Sequence, residues 1–201
     1  MKFLKVLAFV ATALVSFSTV QAQDMTDDYT RAYAGFNGMG YFDVDRSFQN
    51  GFIIGGEYNL NVTNHQMPLF LGLGLEYQFG TYSVEENGVE RGSTLHALSL
   101  PINVSYKFGN EKFQVSPFVG QSVRLGLSYK GKENGKDFDI YDVKDPKVTD
   151  KANRCQLLLN AGVSFFFNKF ALTYRYQVSE IKITSDSNAD YCNSLSIGYC
   201  F

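Results

Sequence analysis

The chain has 201 residues, 18 of them Lys or Arg and 20 Asp or Glu, for a net charge of −2. That length fits one domain, and the charge balance argues against nucleic acid or a strongly charged surface as partner. Abundant Gly (18), Phe (18) and Tyr (13), with 4 Pro and no Trp, is a composition of strands and turns.

Residues 1–22 read as a secretory signal peptide. Lys2 and Lys5 supply the charged start, residues 6–15 are apolar apart from Thr12, and Val20-Gln21-Ala22 is a small-residue cleavage site. The apolar run is shorter than the roughly 20 residues a membrane helix needs. The residue after the cleavage site is Gln23 and not Cys, so no lipoprotein anchor is expected. The mature domain is then residues 23–201, exported, and no later stretch could cross a membrane as a helix. If it lies in a membrane it does so as strands, and only a closed barrel satisfies a strand backbone in lipid.

Eight strands are predicted. The first, residues 30–41, mixes small and aromatic residues at both parities, so its facing stays open. The second, 51–62, sets Phe52, Ile54, Tyr58, Leu60 and Val62 against Ile53, Gly55, Glu57, Asn59 and Asn61. The third, 68–82, alternates most cleanly, Leu69 through Phe79 against Phe70, Gly72, Gly74, Glu76 and Gln78. The fourth, 94–108, carries Pro101, which removes a ladder donor and predicts a bulge there. The fifth is 113–128 and the sixth 154–167. Asn168-Lys169 forms a two-residue hairpin into the seventh, 170–183. Residues 191–201 close the chain. Polar connections are expected at 42–50, 83–93, 129–153 and 184–190, and short turns between the other pairs. Long loops at one end and short turns at the other are a feature of membrane barrels.

Alternation alone does not say which face is inside. The polar face decides. It holds mainly Gly, Ser, Asn, Gln and Ala with a few charges, Glu57, Glu76, Lys107, Arg124 and Arg175. A solvated face would be richer in Lys and Glu, whereas small residues suit the narrow interior of an eight-stranded barrel. The five charges therefore read as an interior cluster that pairs and fills the barrel, the rival reading being a charged gate. Apolar side chains then face lipid, with aromatics such as Tyr106, Phe108, Phe165, Phe167 and Phe170 gathered toward the short-turn end. A soluble, lipocalin-like carrier would have the reverse facing.

The final strand ends on an aromatic, with Leu195, Ile197, Tyr199 and Phe201 on one face and Ser194, Ser196, Gly198 and Cys200 on the other. Ser194, Tyr199 and Phe201 resemble the C-terminal assembly signal of bacterial outer-membrane barrels, although Ser196 stands where Gly is usual. The mature chain as a whole resembles the small eight-stranded barrels of the OmpA and OmpX kind and the PorT-like barrels of Bacteroidetes. The resemblance implies an all-β, antiparallel, up-and-down transmembrane barrel in the outer membrane. It also implies outer-membrane lipid around the barrel and contact between the last strand and the insertion machinery. No periplasmic domain follows the last strand, so the anchoring role of OmpA is not expected.

Enzymes that modify lipid A share this scaffold and need a base beside a nucleophile at the outer rim. His65 falls in a predicted short turn. His96 has the parity of Leu98 and should face outward, and its neighbours Ser93, Thr94 and Ser99 do not match the His-x-Ser pattern of the deacylases. No catalytic residue, cofactor or metal site is expected. The acidic residues Asp137, Asp139, Asp142, Asp145 and Asp150 are too irregular for a calcium loop and read as a solvated loop. If an extracellular partner is bound, the 129–153 loop is where it is expected, on a monomeric barrel. A Cys155–Cys192 bridge would tie two outer loops, but it would have to pass the strand between them.

Overall fold

The computed structural model describes residues 26–41, 49–86, 89–133, 135–142, 153–179 and 190–201. The predicted signal peptide and residues 42–48, 143–152 and 180–189 of the predicted connections and seventh strand lie outside the described residues. Eight long strands form the barrel wall: β1 Tyr29–Tyr41, β2 Gln49–Asn61, β3 Leu69–Glu86, β4 Val89–Tyr106, β5 Phe113–Glu133, β6 Cys155–Phe167, β7 Phe170–Ser179 and β8 Asp190–Cys200. Two short strands, Phe108–Gly109 and Lys136–Asp139, each pair only with β5 among the described residues. Every neighbouring pair is antiparallel. β1 pairs β8 and β4 pairs β5, so the sheet closes without a free edge.

The faces are those of a membrane barrel. Outward positions include Ile54 (54% exposed), Leu75, Leu100, Ile102, Val119 (63%), Val123, Leu159 and Ile197. Inward positions are buried and polar: Glu57, Asn59, Glu76, Gln78, Asn103, Gln114, Ser122, Arg124, Asn160, Arg175 and Gln177 among them. β1 resolves to odd positions inward, with Tyr29, Arg31, Tyr33, Asn37 and Met39 all buried. Gln121 interrupts the outer face, exposed and in register between Ile102 and Leu159.

Two predicted connections are in fact strand. β3 and β4 run on as one long hairpin to Glu86 and Val89, so most of 83–93 is paired. β5 continues to Glu133, and residues 136–139 fold back on it, which orders the first part of 129–153. The continuation depends on a bulge. Ala97 pairs Gly126 but His96 pairs Ser128, leaving Leu127 as the extra residue. Inward positions on β5 are even up to Gly126, and beyond the bulge the inner face is carried by Tyr129 and Gly131.

The predicted bulge at Pro101 is not there. Pro101 keeps register with Ser122, and on its other side the β3–β4 ladder skips from Leu73↔Ile102 to Glu76↔Ser99 with register unchanged. Pro101 is buried, and its ring points at Gly74, where a Cβ would lie 2.8 Å from Pro101 Cγ. A missing donor is accommodated by omitting a pair, and a rigid ring by a residue with no side chain. Gly74→Val should therefore overpack this site and cost about 1–3 kcal/mol, read as a lower urea midpoint of the barrel in lipid vesicles.

At the short-turn end the turns form as the sequence suggests. β6 ends at Phe167 and β7 begins at Phe170, with Asn168 at φ 53°. The β2–β3 turn holds Asn64 and His65 at φ 50° and 62°. Asn61 ties that turn down, donating from Nδ2 to the Thr26 and Met67 carbonyls at 2.9 and 2.8 Å.

Candidate functional site: the barrel interior and the loop end

The interior charges sit in separate layers rather than in one cluster. Nearest the short turns, Lys107 is fully buried and held by ring faces, its Nζ 3.7 Å from the Tyr29 centroid, 4.6 Å from Phe70 and 5.0 Å from Phe166. Each contact is a cation–π attraction, worth about 2 kcal/mol or more when desolvated. Above it, Glu57 pairs with Arg31 at 3.3 Å. Arg31 Nη1 also donates to Ser164 Oγ at 3.1 Å and Thr173 Oγ1 at 2.8 Å. A cavity of about 10 Å³ opens between Arg31, Glu57, Asn59, Asn103 and Ser116, room for about one water molecule.

In the middle layer Glu76 is wholly buried and takes four hydrogen bonds. Arg175 Nη2 donates to both carboxylate oxygens at 2.7 and 2.6 Å, Tyr33 Oη to Oε2 at 3.0 Å and Gln78 Nε2 to Oε1 at 2.7 Å. A neutral chain runs beside it. Gln177 Nε2 donates to Asn160 Oδ1 at 2.9 Å, and Asn160 Nδ2 donates to Ser122 Oγ at 2.7 Å and Asn103 Oδ1 at 3.1 Å. Toward the loops, Arg124 donates to Gln156 Oε1, from Nε at 2.7 Å and from Nη2, and its Nη1 meets Met39 Sδ at 3.5 Å. Of the five charges read from the sequence, Glu76 and Arg175 pair with each other. The partner of Glu57 is Arg31, which the sequence reading did not include.

The cysteines do not bridge. Cys155, Cys192 and Cys200 are all thiols. Cys155 is exposed, whereas Cys192 is buried against Met39 and Leu95, so they point to opposite sides of the wall, and β7 separates their strands. Ser194 faces the interior, and Phe201 is 66% exposed on the outer face. Tyr199 shares that outer face but is only 6% exposed, covered by the edges of Phe170 and Phe201 at centroid distances of 5.4 and 5.1 Å.

Two aromatic belts bound the apolar band. At the short-turn end Tyr106 meets Phe108 at 4.6 Å and Phe113 meets Phe167 at 5.0 Å. At the loop end Phe52 stacks on Phe79 at 5.1 Å, and Phe79 meets His96 edge-on at 5.2 Å. His96 faces outward as expected, and its Nδ1 shares a 2.6 Å hydrogen bond with Tyr77 Oη. In the next row, Asn50, Thr81, Thr94, Lys130 and Asp139 lie side by side in register. The outer surface thus changes from aromatic to polar within one row, and this marks where the wall leaves the membrane. Beyond it β3, β4, β5 and Lys136–Asp139 continue as a projecting four-stranded sheet, with Arg91 Nε 3.6 Å from Glu133 Oε1 across two of its strands.

A family model described as "Outer membrane protein beta-barrel domain" matches residues 9–201. The chain belongs to that family. This outer-membrane barrel is similar in fold to the outer membrane enzyme PagL, with 13% identity over 86% of this chain and 99% of that one and a TM-score of 0.54. It is likewise similar to Neisserial surface protein A, with 15% identity over 86% and 95% and a TM-score of 0.51. Ail, the attachment invasion locus protein of Yersinia pestis, also matches, at 15% identity over 87% and 97% with a TM-score of 0.47. No curated protein matches this barrel in sequence. Identities this low show a shared fold and leave activity to be argued from the residues.

Proposed function

We propose that this barrel is a membrane-anchored scaffold that presents its loop end for contact outside the cell, and that it is neither a pore nor an enzyme. The projecting sheet is the observation that carries this reading. It continues the wall past the aromatic belt, so recognition would sit on a rigid base rather than on a loose loop. The interior supports it, being filled by ring faces around Lys107 and by hydrogen-bonded polar side chains in the layers above it. An aqueous channel needs about 16 strands. The only ring-nitrogen hydrogen bond described for His96 is with a tyrosine, an arrangement that provides no activated serine. A lipid A mass spectrum unchanged in a deletion strain is the corresponding expectation.

In this reading the signal peptide is removed after Ala22, the short turns lie in the periplasm, and Ser194, Tyr199 and Phe201 present the last strand to the insertion machinery. Protease treatment of intact cells tests the orientation. Cleavage is expected within 83–92 and 134–152, with the short turns at 63–67 and 109–112 protected. Cleavage at those turns instead would reverse the topology and remove the proposed role.

A further inference from the structure

The segment after β5 turns back and sets one aromatic ring in the mouth of the barrel. Ile140 N donates to Tyr129 O at 2.8 Å, which extends the pairing of Lys136–Asp139 with β5. Asp139 then turns the chain: its Oδ1 accepts from the Tyr141 amide at 2.8 Å, and its carbonyl accepts from Asp142 N at 3.1 Å. Tyr141 is thereby directed inward and is 8% exposed. Its ring lies edge-on to Tyr129, centroids 5.9 Å apart, and the Arg154 guanidinium covers it at 4.8 Å. The hydroxyl rests on Gly126, an inward position of β5 where any side chain would collide with it.

The site and its occupant come from different parts of the fold. Gly126 and Tyr129 belong to the wall, and Arg154 directly precedes β6, its carbonyl accepting from Gly126 N at 2.7 Å. The ring comes from the turn that follows the short Lys136–Asp139 strand. At the short-turn end the contrast is clear: Tyr29, Phe70 and Phe166 around Lys107 are all wall residues. Burial pushes the Tyr141 hydroxyl up to about 12, against the pull of Arg124 and Arg154, so the site favours a neutral ring over an anion.

We propose that the notch at Gly126, between Tyr129 and Arg154, is a binding site for a neutral phenolic ring, filled in the resting protein by the chain's own Tyr141. A tethered occupant acts at an effective concentration in the millimolar range, so a small phenol competes weakly with Tyr141 and binds once that side chain is removed.

Tyr141→Ala empties the notch and keeps Gly126. The probe is 4-methylphenol, the tyrosine side chain itself, and equilibrium dialysis of this variant in micelles should show saturable binding in excess of the wild type in the same micelles. Adding Gly126→Val, whose side chain takes the place of the hydroxyl, should abolish that excess, and the non-planar 4-methylcyclohexanol should show none. No saturable excess, equal binding of both compounds, or binding that survives Gly126→Val would overturn the site. A second measurement uses Tyr141→Ala alone, which leaves all eight wall strands unchanged. Saturating 4-methylphenol should raise its unfolding temperature and leave the wild type unmoved. An equal shift in both, or none, would count against the proposal.

Discussion

Glu76→Ala is expected to destabilise the barrel by about 3–5 kcal/mol, because it leaves the buried Arg175 guanidinium without its carboxylate. Glu76 is the most connected acid in the interior, receiving Arg175, Tyr33 and Gln78, and it is fully buried. Its loss leaves a cation and a phenol without their acceptor in a lumen too narrow to admit bulk water. The measurement is equilibrium urea unfolding in lipid vesicles. Glu76→Leu combined with Arg175→Met should recover most of the loss, since an apolar replacement of both partners removes the two desolvation penalties together. A double variant as unstable as the single one would mean that the pair contributes more than its own neutralisation. A single variant of wild-type stability would mean that water reaches this layer.

Val119→Arg is expected to cost about 2–4 kcal/mol in the bilayer, the penalty for a cation on the lipid face near mid-depth. Val119 is 63% exposed, on a strand whose outward apolar side chains run from Phe113 to Leu127. The sign separates the two possible solvents. In a water-soluble protein a residue this exposed accepts Arg with a change within about 0.5 kcal/mol. Folding yield into vesicles and the urea midpoint both report the difference.

Much of the wall was legible in the sequence because lipid on one side and a crowded lumen on the other impose strict alternation. β3 and β6 show it most clearly, and the Asn168-Lys169 hairpin declares itself by its position between two aromatic-rich strands. β1 was ambiguous because Ala32, Ala34, Gly35 and Gly38 give neither face much hydrophobic contrast. The available signal was Arg31: a guanidinium on the lipid face costs about 2–4 kcal/mol at mid-depth and less toward the interface, so its charge favours odd positions in the interior. That assignment would also have supplied the partner of Glu57.

The loop end was less legible for a different reason. Outside the membrane no apolar phase enforces a period, so the charged residues of 83–93 and 129–139 read as loop although they pair as strands. The Leu127 bulge compounds this, since it shifts the inner face of β5 from even to odd positions partway along one uninterrupted strand. The role of Tyr141 depends on a single missing side chain at Gly126, and one glycine among 18 does not announce itself. Pro101 was legible as a difficulty but not in its solution, which lies on the neighbouring strand at Gly74.

The facing of the wall is the claim on which everything else rests. Electrophoresis of the membrane fraction in SDS, with and without boiling, tests it most directly. The protein should sediment with the membranes, keep its fold in SDS at room temperature and change mobility after boiling. Protein released by osmotic shock without detergent, running at one mobility whether boiled or not, would contradict the outward apolar face and the membrane barrel with it.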